Sequence, residues 1–360
     1  MRTEADIAVA LIGYGYAGKT FHAPLIAATP GLRLATIVSR EAGKVHADLA
    51  DVRVAADARI AIDDPQIDLV VIATPNDTHA GLADTALRAG RHVVVDKPFT
   101  LTLAEARALA QQADRCNRVL SVFHNRRWDS DFLGVRQAIA DGLIGDVMHL
   151  EAHFDRFRPL VRDRWRERDV PGGGIWFDLG PHLVDQALQL LGLPTAVTAS
   201  FAIQRDGGVS ADWAHVILDY GRQRAILHAG MLVAGGVPRF VVHGTRGSVV
   251  KAGMDVQEAQ LLRGMRPGDA RWGVDDDALQ LFDGSGAAPR ALPAPAGDQR
   301  CYYAALRDAV RGTGDNPVTP LQAVAVMAVL EAASASARSA ASVPLPLSDA
   351  ERAAWLRMSI

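Results

Sequence analysis

Apolar and polar positions alternate in blocks along the first 125 residues, a pattern typical of strands and helices in a parallel α/β sheet. Short apolar runs predict strands, and amphipathic stretches between them predict helices. Residues 17–28 also have a helical pattern, which Pro24 should break or kink. The strands are predicted at Ile7–Ile12, Leu32–Val38, Val52–Ala55, Asp68–Ala73, His92–Asp96 and Val119–Phe123, with helices notably at Thr78–Ala89 and Leu103–Cys116.

The pattern changes after Trp128, where most segments alternate apolar and polar residues with period two. Such segments, joined by hairpin-like links, predict an open, mostly antiparallel sheet. Residues 263–298 are rich in Gly, Pro, Ala and Asp and are predicted to be loop. The predicted strands are His149–Phe157, Val197–Gln204, Ala214–Tyr220, Arg224–Met231, Phe240–Gly244 and Ser248–Lys251, and the predicted helices are Asp131–Ala140, Leu179–Leu191, Asp298–Val310 and Leu321–Ala340.

Two domains are expected, because 360 residues are long for one hydrophobic core. Residues 1–125 are predicted to form an α/β domain of the Rossmann type. Residues 126–360 are predicted to form an α+β domain built on the antiparallel sheet, whose C-terminal helices could pack back on the first domain.

Composition excludes several classes of protein. The net charge of −3 offers no basic surface for nucleic acid or for an anionic membrane. No apolar run in the sequence approaches the length of a membrane span, and the N-terminus does not resemble a signal peptide. Two lone cysteines give neither a disulfide framework nor a metal-ligand spacing, so we expect a cytoplasmic protein without a metal.

The stretch "GYGYAG" follows the first predicted strand and opens the first predicted helix. In this context, the three glycines of G-x-G-x-x-G make a tight turn, admit a pyrophosphate close to the backbone, and let the helix pack close to the strand. The helix N-terminus supplies N–H groups for the phosphates. The alternative is a glycine-rich turn without a ligand. The predicted dinucleotide contacts are Gly13, Tyr14, Gly15, Tyr16, Ala17 and Gly18.

The end of the second strand decides between NADP and NAD. An acidic residue there usually binds the ribose 2′-hydroxyl of NAD. Ser39 and Arg40 occupy this place, and a guanidinium beside a hydroxyl suits the 2′-phosphate of NADP. We therefore favour NADP, with NAD as the alternative if a shift of one residue brings Glu41 into position.

Two further motifs carry candidate chemistry. "DKP" lies at the carboxyl end of the strand His92–Val95, the edge where open α/β sheets bind ligands, although Lys97 could also be a solvated surface lysine. "GGGIWFDLGPHLVD" places Asp178 and His182 on one helix face. Asp178 could instead cap the helix start, and His182 could be a core histidine.

Taken together, the glycine loop, the Asp-Lys-Pro strand end and Asp-x-x-x-His on a helix of a sheet-rich second domain resemble the Gfo/Idh/MocA family of sugar and cyclitol dehydrogenases. The motifs "FHAPLI", "TPNDTH", "DKPFT", "FHNRRWD", "HFDRFRP" and "DLGPHLVDQ" resemble its branch that contains NADP-dependent scyllo-inositol dehydrogenases. The sequence departs from the family pattern at Asp96, where many members carry Glu, whose side chain is longer.

The resemblance implies an oxidoreductase that moves a hydride between a secondary alcohol and a nicotinamide. His182 would be the principal acid/base, Lys97 would hydrogen-bond the same substrate oxygen, and Asp178 would orient the substrate or the imidazole. The resemblance also implies a homodimer or homotetramer formed through the second domain's sheet. Additional dinucleotide contacts are predicted at Thr74, Pro75, Asn76, His79, Asp96 and Lys97, and substrate contacts at Lys97, Asn125, His153, Asp178 and His182.

Other functions stay open from the sequence. One is a glycosidase of the same fold that uses NAD for transient oxidation, and another is a non-catalytic nucleotide-binding sensor. The arginines Arg126, Arg127, Arg156 and Arg158 could bind a polyhydroxylated or acidic substrate, but ion pairs with Asp129, Asp131 and Asp155 are the preferred interpretation.

Overall fold

The computed structural model describes residues 5–358, which divide into two compact units. Unit 1 holds the chain up to Asn125 together with Gln257–Trp272 and Asp298–Val324. Unit 2 holds Arg126–Val256, Gly273–Gly297 and the chain from Ala325 onward. The chain therefore returns to unit 1 twice, whereas the sequence assigned the whole of 126–360 to a second domain from which only C-terminal helices might pack back.

The regular elements are numbered in chain order. The strands are β1 (Ile7–Ile12), β2 (Leu32–Val38), β3 (Arg53–Ala55), β4 (Leu69–Ile72), β5 (His92–Val95), β6 (Leu120–Val122), β7 (Val147–His153), β8 (Ala196–Ala202), β9 (Trp213–Tyr220), β10 (Gln223–Gly230), β11 (Phe240–Gly244), β12 (Ser248–Lys251), β13 (Leu279–Phe282), β14 (Arg290–Leu292) and β15 (Val343–Pro344). The α-helices are α1 (Ala23–Ala27), α2 (Ala42–His46), α3 (Ala58–Ile62), α4 (His79–Arg88), α5 (Leu103–Cys116), α6 (Ser130–Ala140), α7 (Ile175–Leu191), α8 (Gln257–Leu262), α9 (Arg300–Val310), α10 (Pro320–Ser339) and α11 (Asp349–Arg357).

Unit 1 contains a parallel sheet with the strand order β3-β2-β1-β4-β5-β6. This is the order of a Rossmann fold, as the sequence predicted. Every residue of β1 and β4 is buried, because strands inside a parallel sheet are covered on both faces. Their continuous apolar runs follow from that burial.

The helical segment after the glycine loop changes character where Pro24 was expected to break it. A π turn over Gly18–His22 leads into α1, and Pro24 lies in the first turn of α1, where its missing N–H costs little. Farther along, α5 begins with a capping box: the side chains of Thr102 and Glu105 each accept a hydrogen bond from the other's backbone N–H.

Unit 2 contains a nine-stranded sheet with the order β14-β13-β12-β11-β7-β10-β9-β8-β15. All neighbouring strands are antiparallel except β7 and β10, which run parallel. The prediction of an open, mostly antiparallel sheet is confirmed. Along β9, Ala214, Val216 and Leu218 are buried while the residues between them are half-buried, so the sheet has one core face and one face toward the outside.

Several predicted boundaries were wrong. Residues 263–298 are not all loop, because they contain β13 and β14, which extend the sheet beyond β12. β7 ends at His153 rather than at Phe157, and Phe157 makes only an isolated bridge with Leu232. α7 begins at Ile175, ahead of the predicted Leu179.

The statement that no apolar run approaches a membrane span also needs correction. α10 is long and apolar enough to cross a bilayer by length and composition alone. However, 61% of its most apolar stretch is buried inside the protein, as in the core helix of a soluble fold.

Candidate active site

The glycine loop of unit 1 has the geometry that a dinucleotide requires. Gly13 has a φ of +102°, and a Cβ there would lie 2.5 Å from the Ala73 carbonyl oxygen. A Cβ on Gly18 would collide with the Gly13 carbonyl oxygen, so this glycine permits the close approach of turn and helix. A Cβ on Gly15 would point into open space. The loop thus leaves its backbone accessible at Gly15, which fits a bound pyrophosphate.

The two tyrosines of the loop are held by different partners. The Tyr14 hydroxyl donates to Asp48 at 3.2 Å, and burial together with the Asp48 carboxylate raises the pKa of Tyr14 to about 12. Lys19 pairs with the same carboxylate at 2.7 Å. The more exposed Tyr16 donates to Glu258 at 2.7 Å. These side chains hold the loop at its two tyrosines, and the Gly13 N–H is bonded to the Val38 carbonyl oxygen at 3.1 Å.

At the end of β2, Arg40 is exposed and Ser39 is half-buried. The Ser39 hydroxyl accepts the backbone N–H of Glu41 at 3.1 Å, and the Ser39 N–H donates to Ala55 at 2.9 Å. The turn is therefore anchored by its serine while the guanidinium reaches solvent. Glu41, the alternative ligand for NAD, is also exposed.

Lys97 is the second residue after β5 and follows the buried carboxylate of Asp96. Asp96 is 6% exposed, and its Oδ1 lies 3.7 Å from Nε2 of His22. Burial by itself would raise the pKa of Asp96, but the interaction with His22 and the positive charge of Lys97 outweigh it and lower that pKa to about 2. His22 is fully buried and its Nδ1 lies 2.6 Å from the Tyr303 hydroxyl. A chain of polar contacts therefore runs from α9 to the strand end that carries Lys97.

His79 ties two strand-end loops together rather than facing solvent. It is fully buried, its Nδ1 lies 2.8 Å from the Pro98 carbonyl oxygen, and its Nε2 lies 3.0 Å from that of Thr74. Burial lowers the pKa of His79. Asn76, also buried, lies in the short turn between Pro75 and α4. The predicted contacts from Thr74 to His79 thus gather at the carboxyl end of β4, next to the β5 end, and His79 holds the Lys97-Pro98 segment in place.

In unit 2, α7 carries the predicted pair Asp178 and His182. The helix begins after Gly174, whose φ of 84° and ψ of 165° are accessible essentially only to glycine. Asp178 therefore lies within the first turn of the helix instead of capping it, and its backbone N–H donates to Gly174. Pro181 interrupts the hydrogen bonding of the helix just before His182.

Asp178 is paired with a cation that the sequence did not single out. Nε of Arg166 lies 3.4 Å from Oδ1 of Asp178. Both residues line a small cavity whose other charged groups form a buried set: Arg205 pairs with Glu167 at 3.0 Å and with Asp212 at 2.8 Å.

His182 is 6% exposed and stacks on the Phe154 ring, with centroids 6.1 Å apart. The guanidinium groups of Arg126, Arg156 and Arg239 lie 4.8, 5.3 and 5.4 Å from the centre of the same ring. The imidazole of His182 therefore packs against a phenylalanine ring that three guanidinium groups also contact. Sequence reasoning missed Phe154, because a buried phenylalanine at a strand end resembles any core residue.

Of the four arginines for which ion pairs were preferred from the sequence, Arg126 pairs with a predicted partner, and Arg127 pairs with an aspartate that was not predicted. Arg126 pairs with Asp129 at 2.9 Å, and Arg127 makes a bidentate contact with Asp185. Asp131, however, pairs with the buried Arg239.

The two remaining predicted substrate contacts, Asn125 and His153, lie in different units. Asn125 is buried just after β6 in unit 1. His153 precedes Phe154 in the chain, and neighbouring residues of a strand point to opposite faces. Because Phe154 faces His182, His153 faces the other way, where it contacts Glu151 and Asp155. The structure does not bring His153 together with His182.

Comparisons with known proteins extend over nearly the whole chain. A family model described as the NAD-binding Rossmann fold of the Gfo/Idh/MocA oxidoreductases matches residues 7–124, and a second, described as their C-terminal alpha/beta domain, matches residues 136–345. The chain belongs to the Gfo/Idh/MocA oxidoreductase family.

Relatives of known sequence or structure support this assignment. The uncharacterized oxidoreductase YdgJ of Escherichia coli is 52% identical over 94% of this chain and 99% of its own length. The scyllo-inositol 2-dehydrogenase (NADP(+)) IolW of Bacillus subtilis is 35% identical over 94% of this chain and 96% of its own. A crystal structure of an oxidoreductase from Klebsiella pneumoniae is 56% identical and superimposes with a TM-score of 0.92, covering 97% of this chain and 98% of the other.

As a Gfo/Idh/MocA oxidoreductase, the chain is an NAD(P)-dependent dehydrogenase acting on CH–OH groups. Its glycine loop fits the dinucleotide in unit 1. Lys97 in unit 1 and the pair of Asp178 and His182 in unit 2 are the groups suited to handle a proton.

Proposed function

We propose that this enzyme oxidises or reduces a cyclitol, sugar or related polyol with NADP as the cofactor. The observation that supports the substrate class most strongly is the 35% identity, over 94% of the chain, to a scyllo-inositol dehydrogenase. The intact set of Lys97, Asp178 and His182 supports a catalytic role over the alternative of an idle nucleotide sensor.

The bound nicotinamide supplies the hydride acceptor or donor, and the protein manages the substrate and its proton. In the proposed reaction, His182 takes the hydroxyl proton during oxidation and returns it during reduction. Lys97 donates a hydrogen bond to the same oxygen and stabilises its negative charge. Asp178, held by Arg166 at 3.4 Å, orients the substrate or the imidazole.

An absorbance assay tests the proposed activity. Purified protein is incubated with NADP or NAD and a panel of cyclitols and sugars, and with the reduced cofactors and keto-sugars. Net formation or loss of the reduced nicotinamide supports the dehydrogenase. Release of a sugar from a glycoside without net cofactor change would support the glycosidase, and nucleotide binding without turnover would support the sensor.

The preference for NADP rests on Arg40 and Ser39 at the end of β2. An arginine–phosphate contact contributes about 1.5–3 kcal/mol, roughly tenfold to a hundredfold in affinity. We expect the double variant Ser39→Asp/Arg40→Ala to shift the ratio of kcat/KM for the two cofactors toward NAD by about this factor. Arg33→Ala, which removes another exposed arginine from β2, is the matched control. An unchanged ratio in the double variant would mean that other residues bind the 2′-phosphate.

We also propose that the enzyme is a homo-oligomer assembled through the outer face of the unit 2 sheet and that it works in the cytoplasm. Half-buried apolar residues on that face, such as Ile217 and Ile226, support assembly. The thiols Cys116 and Cys301 are free, as in a reducing compartment.

A further inference from the structure

Three side chains that could bind a metal converge on the outer face of the unit 2 sheet. His153 on β7 and His228 on β10 lie directly opposite each other on neighbouring strands. Asp155 follows β7, with Oδ1 2.9 Å from Nδ1 of His228 and Oδ2 3.3 Å from Nδ1 of His153. One ligand atom from each residue lies within 4.8 Å of the other two. We refer to these three residues as the His–Asp–His cluster.

We propose that the His–Asp–His cluster binds a divalent transition metal, with Zn²⁺ as the ion that fits it best. Two imidazole nitrogens and one carboxylate oxygen are a common zinc ligand set, and a water molecule completes the tetrahedron. Bonds of about 2.0–2.2 Å place the ligand atoms of such a tetrahedron roughly 3.3 Å apart. The present distances, 2.9 Å from Oδ1 to His228 and 3.3 Å from Oδ2 to His153, are close to this length, but each imidazole contacts a different carboxylate oxygen. Binding therefore requires the Asp155 carboxylate and the imidazoles to turn so that one oxygen and both nitrogens face the ion.

The surroundings of the cluster suit a metal ligand in two respects. Nε2 of His153 lies 3.2 Å from Oε2 of Glu151. A proton donated from Nε2 to this carboxylate leaves Nδ1 with its lone pair directed at the cluster, which is the arrangement that orients metal-binding histidines. Gly230 provides room beside the ligands, since a Cβ there would lie 3.2 Å from Oδ1 of Asp155 and 3.3 Å from Cε1 of His228.

Burial and charge are also compatible with an ion. Within one chain, the side chains of His153, Asp155 and His228 are 16%, 4% and 14% exposed, so the cluster is largely shielded. Asp155 and Glu151 bring two negative charges to the imidazoles, and a dication would neutralise them. Strands β7 and β10 lie in the interior of the sheet, which fixes the backbone positions of the ligands.

The cluster can be tested by metal binding without an activity assay. Untagged protein is freed of metal with a chelator and titrated with Zn²⁺ by calorimetry and with Co²⁺ by absorption spectroscopy. We expect one ion per chain and the strong d–d absorption of tetrahedral Co²⁺. His228→Gln and Asp155→Asn should each weaken binding by more than tenfold, and Glu151→Gln by about 10–100-fold through the lost outer contact. His243→Gln removes a histidine from the same face outside the cluster and should leave binding unchanged.

Two results would overturn the proposal. One is the absence of Zn²⁺ binding tighter than about 1 mM in the wild-type protein. The other is equal binding by the cluster variants and by His243→Gln, which would mean scattered surface histidines. In either case the three residues form only a hydrogen-bond network. Neither result bears on the dehydrogenase, whose proposed catalytic residues lie elsewhere.

Discussion

At the scale of single residues, short motifs single out the candidate groups, but they do not reveal the side chains that contact them. Two short local patterns, Asp-Lys-Pro and Asp-x-x-x-His, contain Lys97, Asp178 and His182. Arg166, which pairs with Asp178, and Phe154, which stacks on His182, lie 12 and 28 residues away in the chain. Such partners are chosen by tertiary packing, which leaves no local signal. His153, Asp155 and His228 likewise come together through strand pairing, which the sequence does not reveal.

The proposed role of His182 as the acid/base can be tested by turnover and by its dependence on pH. His182→Ala should reduce kcat by about 10²–10⁴-fold, the usual cost of a positioned proton-transfer group, with little change in NADP binding. In the pH profile of kcat/KM for oxidation, the wild type should lose activity as the pH falls and the base becomes protonated, and the variant should lack that limb. Lys97→Ala should also be severe, and Lys97→Arg should not restore activity, because a guanidinium presents its donors differently.

The double variant His182→Ala/Lys97→Ala provides the control. If both side chains act on one oxygen, the two losses should be strongly non-additive. A His182→Ala enzyme with near wild-type turnover and an unchanged acid limb would assign the base to Lys97 instead.

Asp96 should make stability depend on pH. Its pKa in the folded protein, about 2, lies below the ordinary 3.8, so the ionised carboxylate stabilises the fold above pH 3.8 and this contribution is lost as the pH falls through about 2. Asp96→Asn should lower the free energy of unfolding at pH 6 by about 2 kcal/mol. The difference from wild type should shrink toward low pH in urea denaturation.

The exposed Asp206 offers a comparison for this measurement, and Asp206→Asn should change the free energy of unfolding little at any pH. A difference between Asp96→Asn and wild type that stays constant from pH 6 to pH 2.5 would contradict a stabilised carboxylate at Asp96.

At the scale of elements, the bounds of strands and helices were predicted well where burial produces a regular pattern of apolar and polar residues. The buried strands of unit 1 were placed within one or two residues, and β2, β11, β12 and α5 match their predicted bounds. The prediction failed for β13 and β14, which lie in a segment predicted to be loop, and β14 is a three-residue edge strand with mostly exposed side chains. These elements exist because a neighbouring strand or helix supports them, so neither periodicity nor propensity reveals them.

The start of α7 gives a prediction at this scale. Gly174 adopts a backbone conformation accessible essentially only to glycine, and a Cβ there would lie 3.3 Å from the Ala211 carbonyl oxygen. Gly174→Ala should lower the free energy of unfolding by about 1–3 kcal/mol, measured by urea denaturation. Gly43→Ala, at a helical position where a Cβ meets nothing within 4 Å, should be neutral or slightly stabilising. Equal stability of the two variants would show that the α7 start tolerates a side chain.

At the scale of the whole molecule, both sheets were predictable, and the sequence analysis allowed C-terminal helices to pack back on the first domain, as α9 does. The return of residues 257–272 to unit 1 was not predicted. Residues 257–272 and 298–324 belong to unit 1 although they follow most of the unit 2 sheet. Contact with a unit formed more than a hundred residues earlier depends on surface complementarity, and the amphipathic pattern of α9 predicts only that it is a helix.

The proposed oligomer is the prediction that belongs to this scale. Ile217 on β9 and Ile226 on β10 are paired across the strands and half-buried on the face opposite the buried residues of the same strands. Apolar side chains so placed gain from burial against a second subunit.

We expect light scattering after size-exclusion chromatography to give a multiple of 38.4 kDa for the wild type. Ile217→Lys/Ile226→Lys should shift it toward the monomer while the circular dichroism is retained, because neither residue belongs to the core face. Leu356→Lys, at an exposed leucine on α11, should leave the assembly intact. A wild-type mass of one chain, or an assembly that the double substitution leaves unchanged, would exclude this face as the interface.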